Sequence, residues 1–177
     1  PQDGGLMAII EAITTTYLEA DTGEVVFASI PSTYEHLQLW ICDRSARSSG
    51  DALQIQFGTG GGSPDSGTNY SYHNMNGTGS SAAGAATTGA TFIQVGDTPS
   101  QDSDSSVYGG KVIDILDYAN TNKNTSVSNL IDTGAARVYF SSGLWDATGA
   151  VDRIRLFNYS ANFIRGSSFT LYGLNSS

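Results

Sequence analysis

A period of two in apolar and polar residues is the feature that most narrows what this chain can fold into. In "EHLQLWICD", Leu37, Leu39 and Ile41 fall on one side and Gln38 and Trp40 on the other, the spacing of a half-buried strand. "ALQIQFG" repeats the device, with Leu53, Ile55 and Phe57 opposite Gln54 and Gln56. Further segments of this kind are "LMAIIEAIT", "VVFASI", "NYSYHNM", "TFIQVG", "KVIDILDY", "SVSNLID", "ARVYFSS", "VDRIRLFNY" and "SFTLYGL". In the first of these Ile9 and Ile13 also fit a helical spacing, and the β-favouring run Thr14 to Tyr17 decides for strand. Turn chemistry separates the segments, as in "ADTGE", where Asp21 and Gly23 supply a hairpin turn before the strand that Pro31 stops. No segment has the helical pattern that parallel-sheet crossovers need. The reading is an all-β fold, an antiparallel β-sandwich, jelly-roll-like, of roughly 8–10 strands.

A chain of 177 residues can bury one full core, so residues 1–177 are read as a single domain. Charged residues are only 14%, against about a quarter in ordinary domains, and Gly, Ser, Thr and Asn take their place at the surface. Residues 1–6 read as a short N-terminal arm. Residues 58–90 read as a Gly/Ser-rich loop region, because "GTGGGSPDSGTN" and "NGTGSSAAGAATTGA" leave too little side chain to build a core. Between them, "NYSYHNM" suits the stem of a protruding hairpin.

Charge excludes several classes of partner. The net charge is −9, and Arg44 and Arg47 are diluted by Asp43 while Arg153 and Arg155 stand apart, so no basic stripe for nucleic acid exists. No membrane partner or signal peptide is expected, since no run of about 18 apolar residues occurs and "PQDGGLMAII" has no basic region ahead of its apolar residues. The single cysteine, Cys42, rules out an intrachain disulfide, and its neighbours mark it as a small buried hydrophobe rather than a nucleophile. Five Asn-x-Ser/Thr triplets, beginning at Asn69, Asn76, Asn124, Asn158 and Asn175, are expected by chance in a chain this rich in those residues.

Motifs for catalysis are weak. Asp102, Asp104 and Ser106 resemble the opening of a calcium loop but lack its turn glycine and distal Glu, so the reading is a solvated loop with no metal. His36 and His73 have no recognisable catalytic context, and no Gly-x-Ser-x-Gly elbow is present. Asp114 with Asp117, or Glu11 with Glu19, could serve a glycosidase, yet their spacing is that of ordinary outward-facing acids. "GTGGG" is followed by Ser-Pro-Asp rather than by Lys and a helix start, which argues against a phosphate cradle. The expectation is therefore a non-enzymatic protein with no cofactor. Aromatic residues carry what recognition signal remains: Tyr70 and Tyr72, with His73, are candidate glycan contacts on the Gly-rich loops, and Trp145, read as lying in a turn, divides between core lid and interface.

The order of segments resembles a known group. "FASIPSTYEHLQLWICDRSARS", then "LQIQFGTG" with "NYSY", then "GLWDATGAVDRIRLFNYSANFIRGSSFTLYGL" is similar to small β-sandwich structural proteins of tailed-bacteriophage virions. The resemblance implies a capsid decoration (cement) protein on the outer surface of the head, with the major capsid protein as partner and a homotrimer as assembly. Its alternative is a receptor- or glycan-binding domain of a tail fibre or head spike, touching a host-surface glycan. It supplies no catalytic residue. In either case "SFTLYGL" is expected to complete a sheet, with Phe169 and Leu171 on one face and Thr170 and Tyr172 on the other.

Overall fold

The structure, a computed structural model, describes residues 10–102, 104–134 and 137–175. The N-terminal arm, residues 1–6, lies outside them. All regular structure among the described residues is strand: β1 (Ile10–Tyr17), β2 (Glu24–Ala28), β3 (His36–Asp43), β4 (Asp51–Thr59), β5 (Tyr70–Gly77), β6 (Ala82–Ala90), β7 (Ile93–Thr98), β8 (Gly109–Leu116), β9 (Thr125–Asp132), β10 (Val138–Trp145), β11 (Val151–Asn158) and β12 (Ser168–Leu174). Eight form one antiparallel sheet in the order β1-β12-β3-β8-β9-β10-β5-β6, and four form a second in the order β2-β11-β4-β7. The two pack as a sandwich. Neighbours far apart in sequence, such as β12 between β1 and β3, give it jelly-roll-like connectivity.

The alternating segments became strands, and their apolar sides became the core. Leu37, Leu39 and Ile41 of β3, Leu53, Ile55 and Phe57 of β4, Ile113 and Ile115 of β8, and Phe169 and Leu171 of β12 all turn inward and are buried. The larger sheet thereby shows one packed face and one outward face, the pattern expected of antiparallel sheets.

Three expectations need correction. The strand count is twelve among the described residues, not 8–10, and β6 is the strand the sequence did not announce. Its segment "AAGAATTGA" was expected to be loop within residues 58–90 for want of side chains; it pairs with β5 through the backbone, from Tyr70 opposite Ala90 to Gly77 opposite Ala82, which needs no core at all. Cys42 is exposed. It lies on the even-numbered side of β3 with Gln38 and Trp40, so alternation overrides its apolar neighbours. Gln54 and Gln56 do face away from the core as expected but are buried, Gln56 donating from Nε2 to the Thr91 carbonyl (2.8 Å) and accepting from Arg155 Nη1 (2.9 Å).

One end of the sandwich is polar inside. Lys111 Nζ donates to Asp43 Oδ1 across β8 and β3, and both side chains are 0% exposed. Burial pushes the Asp43 carboxyl up from its usual range, against the opposing pull of Lys111 and of a hydrogen bond from Thr98. Beside this pair Asp51 accepts from Ser45 Oγ (3.0 Å) and from the backbone of Ser160 (3.2 Å) and Ala161 (3.0 Å). Arg44 caps the carbonyls of Ser100, Gln101 and Ser105.

Candidate binding face

Of the four contact candidates, three are core residues. Tyr70 is 1% exposed; its hydroxyl accepts from the Phe57 amide (3.1 Å) and donates to the Asp65 carbonyl (3.0 Å), and burial pushes its pKa up. Trp145 ends β10 instead of lying in a turn, and is buried. Its ring stacks on Tyr70 (6.2 Å) and tilts against Phe57 (5.7 Å), while Nε1 donates to Asp65 Oδ2 (2.8 Å). Of its two readings, the structure gives core lid. Tyr72 is buried against Phe92, with ring centroids 6.4 Å apart. Only His73 reaches the surface, on β5 opposite Ser142 and Ala86.

The Gly-rich stretch before β5 is an ordered structure built on Asp65. Its carboxylate also takes hydrogen bonds from Asn69 Nδ2 (2.9 Å) and the Gly67 amide (2.8 Å). Partial burial pushes the Asp65 carboxyl up, and the bonds from Asn69, Trp145 and Gly67 outweigh it and hold the group below its usual value. A loop pinned in this way is a plug on the core rather than a free contact loop.

The acids are scattered. Asp117 pairs with Lys123 (2.6 Å) in the turn after β8, Glu11 accepts from the Tyr34 hydroxyl (3.0 Å), Glu19 lies 3.7 Å from Arg165, and Asp114 accepts from Gln38 Nε2 (2.7 Å). Asp104 accepts from the Ser106 amide (3.0 Å) and hydroxyl (2.7 Å), closing a turn on itself. A polar cleft of about 340 Å³ lies between Asp97, Thr98, Pro99 and Arg137; Asp97 there takes hydrogen bonds from Arg137 and from the Tyr139 hydroxyl.

What the register brings together is a row that sequence reasoning missed. On the outward face of the eight-stranded sheet Trp40 stands opposite Val112, Val112 opposite Leu130, Leu130 opposite Phe140, and Phe140 opposite Met75. The five residues come from five successive strands, β3, β8, β9, β10 and β5, and span about 19 Å at about 4.8 Å per strand. All are exposed: Trp40 49%, Val112 38%, Leu130 59%, Phe140 56% and Met75 59%. An apolar row of this extent is a candidate interaction surface rather than ordinary scatter. One register step away runs a polar row, Tyr172, Gln38, Asp114, Ser128, Ser142 and His73.

At the Trp40 end the two rows join. The Trp40 and Tyr172 rings lie 4.9 Å apart at 52°, Trp40 Nε1 donates to Gln38 Oε1 (2.6 Å), and Gln38 in turn donates to Asp114. A shallow depression of about 310 Å³ beside them is lined by Trp40, Cys42, Val112, Ser168, Thr170 and Tyr172. Charge on this outward face comes from Asp114 and Asp132, with no Lys or Arg at the outward positions of the described strands of the eight-stranded sheet.

No known protein family and no curated protein matches this sequence. Among solved structures, alginate lyase Aly36B is similar over 91% of this chain and 77% of its own, with 12% identity and a TM-score of 0.32. A likeness at that level carries no argument about what this chain does.

Proposed function

We propose that this chain is a non-enzymatic structural protein of a phage virion, of the capsid decoration type, which attaches to the assembled head through the outward face of its eight-stranded sheet. The observation that carries the reading is the in-register row Trp40, Val112, Leu130, Phe140 and Met75. Leaving such a row in water costs roughly 25 cal/mol per Å² of apolar surface, which a covering partner returns as attachment energy. Asp114 and Asp132 make self-pairing through this face a meeting of like charges, so a chemically different partner, the major capsid protein, is favoured over a second copy. The homotrimer that the resemblance implies would then form through other surfaces. Leu130→Asp and Phe140→Asp place charges in the row without touching the core. Purified heads lacking the protein should bind the native chain and lose it with either variant. Native chain that fails to bind heads, or symmetry-averaged imaging that finds it only at the tail tip, would overturn the reading.

A second reading has its own observation. The Trp40–Tyr172 ring pair, tilted at 52° with Gln38 and Asp114 hydrogen-bonded alongside, offers an exposed aromatic face bordered by polar groups, the combination on which sugar rings stack. In a receptor-binding domain of a fibre or spike this platform would take a host-surface glycan, in place of Tyr70 and Tyr72, which the core claims. Glycan-array binding that Trp40→Ala removes and Leu130→Asp leaves intact favours this reading over the first.

A further inference from the structure

The buried polar end of the sandwich holds a pair that its surroundings do not explain as a simple ion pair. Lys111 and Asp43 touch each other in a site closed to water, each side chain 0% exposed. Moving two charges into such a site is costly for each ion, and mutual attraction offsets this only when further hydrogen bonds surround both groups. Here no second hydrogen-bond acceptor is found for Lys111 Nζ among the described residues, and besides Lys111 the Asp43 carboxyl has only the Thr98 hydroxyl and its own backbone amide. The Thr98 hydroxyl lies 3.3 Å from Asp43 Oδ2 and 3.1 Å from Asn158 Oδ1, one hydrogen serving two acceptors, and Asn158 Nδ2 is buried with no partner. Polarity is thus gathered around one carboxyl group and incompletely satisfied.

We propose that Lys111 and Asp43 close an intramolecular isopeptide bond, tying β8 covalently to β3. Within the pair a proton passes from the Lys111 ammonium to Asp43 Oδ1, giving the neutral amine and acid that a site of low dielectric favours. The Nζ lone pair then attacks Asp43 Cγ. Charge developing on Oδ2 is met by the Thr98 hydroxyl, an arrangement of the oxyanion-hole kind. The Cγ–Oδ1 bond breaks, Oδ1 leaves with its own hydrogen and one from Nζ, and the products are one amide and one water. No oxidant, metal or co-reactant enters. Contact between nucleophile and electrophile on two adjacent strands supplies the proximity term, which reaches about 10⁵–10⁸ M in effective molarity for well-oriented groups. The amide removes both buried charges and leaves its carbonyl oxygen where Thr98 already donates.

Intact mass spectrometry of the purified, denatured full chain tests this directly. The expected mass is one water below that of the sequence, and tryptic digestion should give a branched peptide in which the segment containing Asp43 is joined to one left uncut at Lys111. A chain of full sequence mass that trypsin cleaves after Lys111 overturns the proposal. So does a missing water with Lys111 still cleavable, which places the loss in a succinimide such as one at Asp3–Gly4. Lys111→Arg, if it folds, restores the full mass. Thr98→Val keeps both reacting groups and should leave a mixture of cross-linked and full-mass chains where the native protein is wholly cross-linked; complete cross-linking in that variant overturns the role given to Thr98.

Discussion

β12 and β6 belong to the same eight-stranded sheet, with seven and nine residues, and they are strands for opposite reasons. β12 lies between β1 and β3 and alternates without a break, Phe169, Leu171 and Gly173 inward and Thr170 and Tyr172 outward. β6 is almost wholly exposed, lies at the sheet edge, and is paired only to β5. One is held by its side chains. The other is held chiefly by its ladder of backbone hydrogen bonds, with Ala90 at its end packed on the core, which suffices because β5 beside it is anchored through Tyr70 and Tyr72. The lesson is that "no side chains to build a core" excludes a core position, not a strand.

The largest test of that contrast is deletion. Removing residues 168–174 takes away Phe169 and Leu171, each fully buried and each worth about 2–5 kcal/mol against Ala, and strips both β1 and β3 of their partner. Soluble folded protein should be lost, as read by circular dichroism and size-exclusion chromatography. A truncated chain that folds and elutes normally would break the comparison, because β12 would then be as dispensable as β6 appears by burial.

A smaller change within β12 makes the same point from packing. A Cβ added at Gly173 would sit 2.3 Å from Cγ of Tyr34, so Gly173→Ala has to drive that ring aside. The Tyr34 ring packs there while its hydroxyl donates to Glu11. A loss of about 1–3 kcal/mol is expected by chemical denaturation. An unchanged midpoint would mean that the Tyr34 ring moves freely and that the β12 face is less constrained than its burial implies.

These elements also mark how far the sequence could be read. Alternation named both faces of β3, β4 and β12 correctly because side-chain direction in a strand is a local property with a period of two. It even placed Trp40 opposite the core. What it could not supply was register: that Trp40, Val112, Leu130, Phe140 and Met75 form one row depends on five strands lining up, and no segment carries that information by itself. Tyr70 and Tyr72 are core residues where the sequence suggests contacts, and in the sequence Trp145 stays divided between core lid and interface, for a related reason. Their aromatic character suits a core and an interface equally, and the deciding partner, Asp65, lies in a Gly-rich segment read as loose surface. The pairing of Lys111 with Asp43 was invisible because a lone Lys at the start of "KVIDILDY" looks like an ordinary solvated strand end.

Asp65 gives a way to sharpen where the core-anchored part of the sheet ends and its β6 edge begins. Its folded-state pKa is depressed, so its contribution is fully present above the unfolded value of about 3.9 and is lost as pH falls through the lower folded value. Protonation releases the bonds from Asn69, Trp145 and Gly67, and Trp145 fluorescence should shift in that acid window before the core melts. Asp65→Asn should show the shifted signal already at neutral pH. A Trp145 signal that follows only global unfolding would mean that Asp65 is not what locks the base of the hairpin.

The smallest expected effect is in β6 itself. Ala83 and Ala85 are exposed, and their strand pairs with β5 alone, so Ala83→Ser and Ala85→Ser should each stay within about 0.5 kcal/mol of the native stability in urea. The same exchange of an apolar for a hydroxyl side chain at Leu171 would bury an unpaired polar group and create a cavity, and should cost several times more. The ratio between the two positions matters more than either value, because it separates ladder-held from core-held strand within one sheet. A β6 variant that costs as much as Leu171→Ser would mean that "AAGAATTGA" is packed against something the isolated chain lacks, which makes the free edge a second contact surface of the assembled protein.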